Sequence, residues 1–281
     1  MALNLDVVGR PIKSQPFRYG PDQVILYALG VGAGPEDIAF IYEKGLKVYP
    51  TFAVVPFMPA FFGPFMEQIN INLAGVLHGE QKIILHKPIP PAATLESTLY
   101  CDSIYDKGDK GAVINVRVES RTAEGDLLFE NLAKVFDRTA GNFNGERGPE
   151  SEKHEPPAGQ APDFKISYTT AATQAALYRL SGDKNPLHID PDFARKLGFD
   201  RPILHGLCTF GFTGRAVLQA LCANDPGRLQ SLSARFMHPV FPGDTLITEG
   251  WRVNAGKYIL RTSNQEGVPV LGNAVAEIRT L

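Results

Sequence analysis

Cysteine is scarce in this 281-residue chain, which holds only Cys101, Cys208 and Cys222. These lie far apart, without the short paired spacings of a zinc site or the even count of a disulfide framework, so reduced thiols are expected. Charge of one sign is not in excess either: 28 Lys plus Arg stand against 30 Asp plus Glu, a net charge of -2. With no broad basic field, nucleic acid is not an expected partner and no polybasic membrane patch exists, which leaves a small molecule. The opening stretch, MALNLDVVGRPIKSQPF, contains no continuous apolar segment before a small-residue cleavage site, so no signal peptide is expected.

Long uncharged runs are also rare. Val48 to Met66 is long enough to cross a bilayer. It carries Pro50, Pro56, Pro59 and Pro64, which would leave backbone groups unpaired where no water can satisfy them, so a buried core segment is expected rather than a membrane span. The "GVGAG" of Gly30 to Gly34 has part of a dinucleotide fingerprint, but it follows a helical pattern instead of a strand and reads as a helix-ending loop.

What is present is apolar content of 44%, ample for two domains of ordinary size. Residues 141–163, "GNFNGERGPESEKHEPPAGQAPD", are rich in Gly, Pro and charge and form the expected linker between residues 1–140 and 164–281. Setting the two flanks against each other at a shift of 151 residues pairs Tyr27 with Tyr178, Leu29 with Leu180, Gly63 with Gly214, Pro88 with Pro239, Thr94 with Thr245 and Leu95 with Leu246. The chain is an internal repeat.

Each copy reads as a short helix ending near a glycine, a loop, a long apolar helix and then several strands. In the second copy Thr169 or Thr170 can cap a helix over "AATQAALYRLSG" that stops at Gly182, Asp190 and Pro191 start another that ends at Gly198, and "GLCTFGFTGRAVLQALC" from Gly206 is apolar nearly all round. Strands are expected over "SLSARFMHPV", "DTLITEGWRVNAG", "KYILRTSNQ" and "PVLGNAVAEIRT", and in the first copy over "QKIILHKPI", "ATLESTLYCDSIYDKG", "AVINVRVESRT" and "LLFENLAKVF". This is an α+β plan made twice, with two half-sheets free to pair edge to edge.

The candidate chemistry lies in "YRLSGDKNPLH", residues 178–188. Asp183 and His188 follow a helix stop on a turn stiffened by Pro186, and a carboxylate and an imidazole brought together can hold and deprotonate a water. Asp183 and Asn185 also suit plain turn formation, with side chains bonded to their own backbone. Gly206, at the start of the buried helix, offers free N–H groups where negative charge is favoured, although close helix packing equally explains a glycine there. His188, Asp190 and His205 match no standard metal-ligand spacing, and Asp190 suits a helix cap, so no metal is expected.

The stretch "YRLSGDKNPLH", together with "LYALGVGA", "YPTFAVVP", "LHGEQ", "YDKGDKGAVI", "PILHG" and "PVFPGDTL", closely resembles the 2-enoyl-CoA hydratase 2 proteins, the MaoC-like (R)-specific hydratases and dehydratases of the double-domain type. The resemblance covers nearly the whole chain. It implies a double hot-dog fold, each half an antiparallel sheet wrapped around one long helix, with catalysis kept in the C-terminal half alone. The first copy agrees, since Gly32 stands in the register of Asp183 and Asp37 in that of His188. Its proline-broken helix is expected to leave room for an acyl chain.

By resemblance the reaction is reversible syn addition of water to a trans-2-enoyl-CoA, giving the (R)-3-hydroxyacyl-CoA in fatty-acid metabolism such as β-oxidation. Asp183 and His188 would activate the water, Asn185 would help fix it, and the Gly206 N–H would stabilise the thioester enolate. His78, Gly79, Lys107 and Phe236 match CoA-binding positions, although Lys107 also suits a solvated turn. The loop "RTAGNFNGERGP" departs from the family's glycine-rich pattern. No metal is implied, and no cofactor beyond the CoA of the acyl-CoA substrate; relatives suggest a homodimer. The ending "AEIRTL" lacks a Ser-Lys-Leu signal, so a stand-alone cytoplasmic enzyme is expected. A dehydratase of carrier-bound, polyketide or steroid side-chain thioesters, a hot-dog thioesterase and a silent acyl-CoA-binding subunit are the alternatives.

Overall fold

The computed structural model describes residues 3–72 and 75–280. Eleven strands form one antiparallel sheet in the order β1-β4-β5-β6-β3-β8-β11-β10-β9-β7, with β2 also paired to β4. In the first half these are β1 (Pro11–Lys13), β2 (Phe17–Tyr19), β3 (Val76–Leu85), β4 (Ala93–Asp106), β5 (Ala112–Thr122) and β6 (Leu127–Asp137). In the second they are β7 (Phe164–Thr169), β8 (Leu229–Phe236), β9 (Thr245–Asn254), β10 (Lys257–Ser263) and β11 (Pro269–Ile278). The long strands fall where alternation places them. In β5, Ala112, Ile114, Val116 and Val118 are buried while their neighbours face outward, as a sheet covered on one side requires.

The half-sheets join through β3 and β8, with Gln81 opposite Ala234 and Ile83 opposite Leu232. On the outer face of that seam Arg235 donates to Glu80 Oε1 from Nε at 2.8 Å and from Nη2 at 2.6 Å. The repeat extends to register. Phe17 pairs with Leu95 and Arg18 with Thr94, while Tyr168 pairs with Leu246 and Thr169 with Thr245; every partner is shifted by 151 positions. Two hot-dog units thus share one continuous sheet, the α+β double hot-dog architecture.

Helix α7 (Gly206–Leu221) is the core helix of the second unit, buried from Leu207 to Leu218. It packs against the segment of the first unit that runs from helix α1 (Pro21–Gly30) to α2 (Ile38–Ile41), where a Cβ on Gly211 would come within 2.3 Å of Val31 Cγ1, so any larger residue would push the two units apart. Its counterpart is discontinuous. A 3-10 turn over Pro50–Ala53 leads into α3 (Val54–Ala60), a wide π turn (Phe61–Phe65) and α4 (Met66–Ile69), with Gly63 non-helical at φ -93 and ψ -120. Pro59 and Pro64 inside this run remove backbone donors and force the break. The run Pro50–Ile69 has the length and mean hydropathy, 1.2, of a membrane span, and 61% of its most apolar window is buried inside the protein.

Two expectations need correction. Among the described residues the break is filled by side chains instead of leaving the expected room for an acyl chain: Phe57, Phe61 and Phe65 are buried at 2%, 3% and 0% exposure and follow one another with ring centroids 5.4 Å apart. A cavity of about 280 Å³ lies on the outer sheet face beneath the linker, against Glu80, Lys134, His154 and Asn273. The helix before Gly182 is also shorter than its pattern predicts. Thr169 ends β7, and the Thr170 hydroxyl donates to Asp244 O at 2.9 Å instead of capping. Only α5 (Gln174–Tyr178) and a 3-10 turn (Arg179–Ser181) are helical; ahead of them the Ala171 N–H donates to the Gln174 side chain at 3.1 Å, while Gln174 Nε2 reaches across to the Gly30 carbonyl at 2.7 Å.

Candidate active site

The segment after Gly182 is built from consecutive side-chain turns. Asp183 Oδ1 accepts from the Asn185 N–H at 3.1 Å, and Asn185 Oδ1 accepts from the Leu187 N–H at 3.1 Å. Asn185 therefore caps the 3-10 turn Pro186–His188, and Pro186 fixes its first residue. These bonds occupy one oxygen of Asp183. The other, Oδ2, faces His188 Nε2 at 4.0 Å. Asp190 caps the next helix, α6 (Pro191–Lys196), through bonds from Asp192 and Phe193, and so contributes to the fold of the segment.

His188 is 8% exposed, and its Nδ1 lies 2.9 Å from the Ile203 carbonyl. A carbonyl only accepts, so Nδ1 carries the proton and Nε2 presents a bare lone pair toward Asp183. Burial pushes the imidazole below its ordinary value, against the opposing pull of the Ile203 bond and the Asp183 charge. A base that stays neutral is the result. Its 4.0 Å separation from Oδ2 exceeds a direct hydrogen bond but suits one bridging water, since two contacts of about 2.8 Å span it at an angle near 90°.

His205 completes this cluster. Its ring stacks on that of His188, with centroids 3.7 Å and planes 27° apart, and its Nε2 meets the Asp183 backbone carbonyl at 3.1 Å. Asp183, His188 and His205 place donor atoms within 4.8 Å of one another. Each ring commits one nitrogen to a carbonyl, His188 Nδ1 to Ile203 and His205 Nε2 to Asp183.

Directly after His205, α7 begins. Among the described residues no acceptor meets the Gly206 N–H, and Gly206 is exposed. A Cβ at this position would come within 3.0 Å of the Phe236 ring, so the glycine lets helix end and ring meet closely. Phe236 in turn lies edge-on to His78, centroids 5.0 Å apart. The His78 Nε2 is buried without a partner, and burial lowers this imidazole to about 4. Gly79 sits at a register shift in β3, where a Cβ would approach Lys134 O at 3.3 Å.

The structure thus gathers Asp183, His188, Gly206, Phe236 and His78 into one contiguous strip, with Asn185 behind it. Lys107 is not part of that strip. It stands at the β4–β5 turn, four strand spacings or about 19 Å along the same sheet end from Phe236, and its Nζ donates to the Arg147 carbonyl. The loop of residues 138–149 folds onto this turn through Asn142 N to Asp106 Oδ1 at 2.9 Å and Asp106 N to Glu146 O at 2.9 Å. The sequence offers His205 only as a candidate metal ligand; its place beside the helix-starting glycine is the signal for another part in the site.

Two family descriptions match the chain, "MFE-2 hydratase 2 N-terminal domain" over residues 17–139 and "MaoC like domain" over residues 153–272. The 3-hydroxyacyl-thioester dehydratase Y of Mycobacterium tuberculosis is 40% identical over 288 residues, covering 100% of this chain and 96% of the relative. The mouse peroxisomal multifunctional enzyme type 2 is 40% identical over 280 residues, with 96% of this chain matching 38% of that longer protein. A crystal structure of a MaoC-like dehydratase from Phytophthora capsici superposes with a TM-score of 0.89 at 30% identity, over 99% of both chains. With its paired halves, its Asp183–His188 site and these full-length relatives, the chain belongs to the MaoC-like, hydratase 2 family.

Proposed function

We propose that the chain is an (R)-specific 2-enoyl-CoA hydratase, a hydro-lyase that reversibly adds water to a trans-2-enoyl-CoA. The observation that carries this reading is the fixed tautomer of His188, whose bare Nε2 faces Asp183 Oδ2 across 4.0 Å. A water held between them gives one proton to Nε2 as its oxygen bonds to C3 of the substrate. Electrons of the double bond move onto the thioester oxygen, and the pair returns a proton to C2 on the same face, which makes the addition syn. The exposed Gly206 N–H is the donor for the enolate oxygen; removing such a donor typically costs about 2.7–4 kcal/mol of transition-state stabilisation. Asn185 supports the water site by capping the turn that carries His188.

In this reading the first unit, residues 1–140, is non-catalytic and supplies CoA contacts from His78, Gly79 and Lys107, while residues 164–281 carry the chemistry along with Phe236. No cofactor is needed beyond the CoA of the substrate. Fatty-acid β-oxidation is the proposed setting and a homodimer the proposed assembly. The test is incubation with trans-2-enoyl-CoA of several chain lengths, following loss of the conjugated thioester absorbance together with free thiol. Hydroxyacyl product without thiol supports the hydratase. Thiol release without hydroxyacyl product would replace it with a thioesterase, and silence of both signals with a binding subunit.

A further inference from the structure

His205 has no role in the mechanism above, yet it touches all three parts of the site. It is 1% exposed and serves as the N-cap residue of α7. Its Nε2 lies 3.1 Å from the carbonyl oxygen of Asp183, its ring covers that of His188 at 3.7 Å, and its own peptide unit leads into Gly206. Because the Asp183 carbonyl can only accept, Nε2 must carry the proton. Nδ1 is then a bare acceptor, buried and without a partner among the described residues.

We infer that His205 is a positioning residue for the hydration, an imidazole that clamps the Asp183–His188 loop against the helix end bearing Gly206. The inference rests on the hydratase reading of the site. The clamp fixes one distance that the local turns leave open. Asp183, Asn185 and His188 are held relative to each other by bonds within residues 183–188, whereas Gly206 belongs to a separate element. Beyond the His188 bond to Ile203, the His205 side chain supplies the link between the two through the Asp183 carbonyl. The reacting carbons and the thioester oxygen of one substrate must meet both at once, so a shift of the loop by even a fraction of an ångström misaligns the water with C3.

The surroundings keep this imidazole uncharged. The groups facing it are the His188 ring, the Tyr178 ring at 5.0 Å, the Asp183 carbonyl and the charge of Arg179. A second proton, on Nδ1, would find no acceptor. Burial, followed by the charges of His188 and Arg179, lowers the group to about 3. A stacked cation would also make protonation of His188 less favourable.

Two substitutions separate the parts of the clamp. His205→Phe keeps the stacked ring but leaves the Asp183 carbonyl unpaired, and His205→Gln restores an N–H donor at similar reach without the ring. With the full-length chain and a trans-2-enoyl-CoA, His205→Phe is expected to lower kcat about ten- to a hundredfold with KM changed less than about threefold, and His205→Gln to recover most of that loss. Wild-type kcat in His205→Phe, or equal damage in His205→Gln, would overturn the inference while leaving the hydratase reading intact. Should either variant fail to fold, ring-nitrogen NMR of the wild-type protein decides: His205, assigned through its contact with the Tyr178 ring, is expected as the neutral Nε2–H tautomer throughout pH 5–8. An Nδ1–H tautomer or an imidazolium in that range overturns it. A wild-type protein silent toward enoyl-CoA would sink the proposed reaction instead, and the NMR result would still judge the clamp.

Discussion

Arg215 Nη2 lies 2.7 Å from Asp37 Oδ2, and Asp37 occupies the position in the first repeat that His188 occupies in the second. The core helix of the second unit therefore plugs the corresponding loop of the first. Arg215 Nη1 donates to Val31 O at 3.1 Å, its guanidinium lies over the Tyr168 ring at 4.3 Å, and the Phe212 ring lies 2.5 Å from where a Cβ on Gly32 would stand. Gly32, in the register of Asp183, thus leaves room for Phe212.

The Arg215 side chain is 3% exposed, so taking away its carboxylate strands a charge in the interior. Asp37→Ala should destabilise the chain by about 3–5 kcal/mol, and a combined Asp37→Ala, Arg215→Met variant should recover most of the loss because an apolar pair leaves no orphaned charge. Urea denaturation of the single and double variants measures this. If the double variant is as unstable as Asp37→Ala, the pair is not what holds the units together there.

In the proposed mechanism Asp183 and His188 share one water, so their contributions are expected not to add. Asp183→Asn and His188→Ala should each lower kcat about 10²–10⁴-fold, and the double variant should be little worse than the more damaged single one. Initial rates of loss of the enoyl thioester give the comparison. Independent, multiplying losses would mean the two groups act at different steps.

Acid should inactivate the enzyme only below the usual histidine range. In the proposed mechanism the working base is neutral His188, which burial holds below its ordinary 6.5, so kcat/KM should fall as pH drops through a value lower than that. Asp183 pulls the group upward, and removing its charge in Asp183→Asn should move the NMR titration of the His188 ring to still lower pH. An acid limb at or above 6.5 would contradict the burial that sets this base.

Much of this molecule is legible in the sequence, for reasons that are local. Strands such as β5 and β6 show period-two alternation, Gly206 starts a run apolar nearly all round, and Asp190–Pro191 carries its helix cap in adjacent residues. The rest depends on distant partners. Strands β1 and β2 have three residues each, too few for a period to register, and β7 was hidden because Thr169 and Thr170 have the composition of a cap. In the site, "GDKNPLH" marks Asp183 and His188, but no spacing announces that Ile203 fixes the tautomer of one or that His205 seals the other's loop. Those contacts arise only when α7 is docked.

Folding stability should weaken in mild acid. His78, His188 and His205 are all held neutral by burial, at about 4 for His78, below 6.5 for His188 and at about 3 for His205. The unfolded chain binds protons at these sites near 6.5 while the folded chain does not, so their contribution is fully present above that pH and is lost as pH falls toward the folded values. Each group contributes a slope of about 1.4 kcal/mol per pH unit in that window. Urea midpoints measured between pH 7 and 4 should drop steeply, and His78→Gln, which removes one titrating ring from β3, should flatten the slope by about a third. An unchanged slope would place His78 outside the group of buried neutral rings.

The Gly206 N–H can be isolated by comparing two substitutions that add the same Cβ. Both Gly206→Ala and Gly206→Pro bring an atom within 3.0 Å of the Phe236 ring, which must give by a few tenths of an ångström, but only proline removes the donor. The backbone tolerates proline here. Gly206 is the first residue of α7, where the N–H has no helical acceptor, and His205 before it has φ -59 and ψ 134, the extended geometry that a residue preceding proline prefers. Gly206→Ala should therefore cost only a few-fold, chiefly in KM, whereas Gly206→Pro should lower kcat by about 10²–10³ with far-UV circular dichroism unchanged. If the two variants lose kcat equally, crowding against Phe236 accounts for the effect, and the enolate oxygen must find its donor elsewhere.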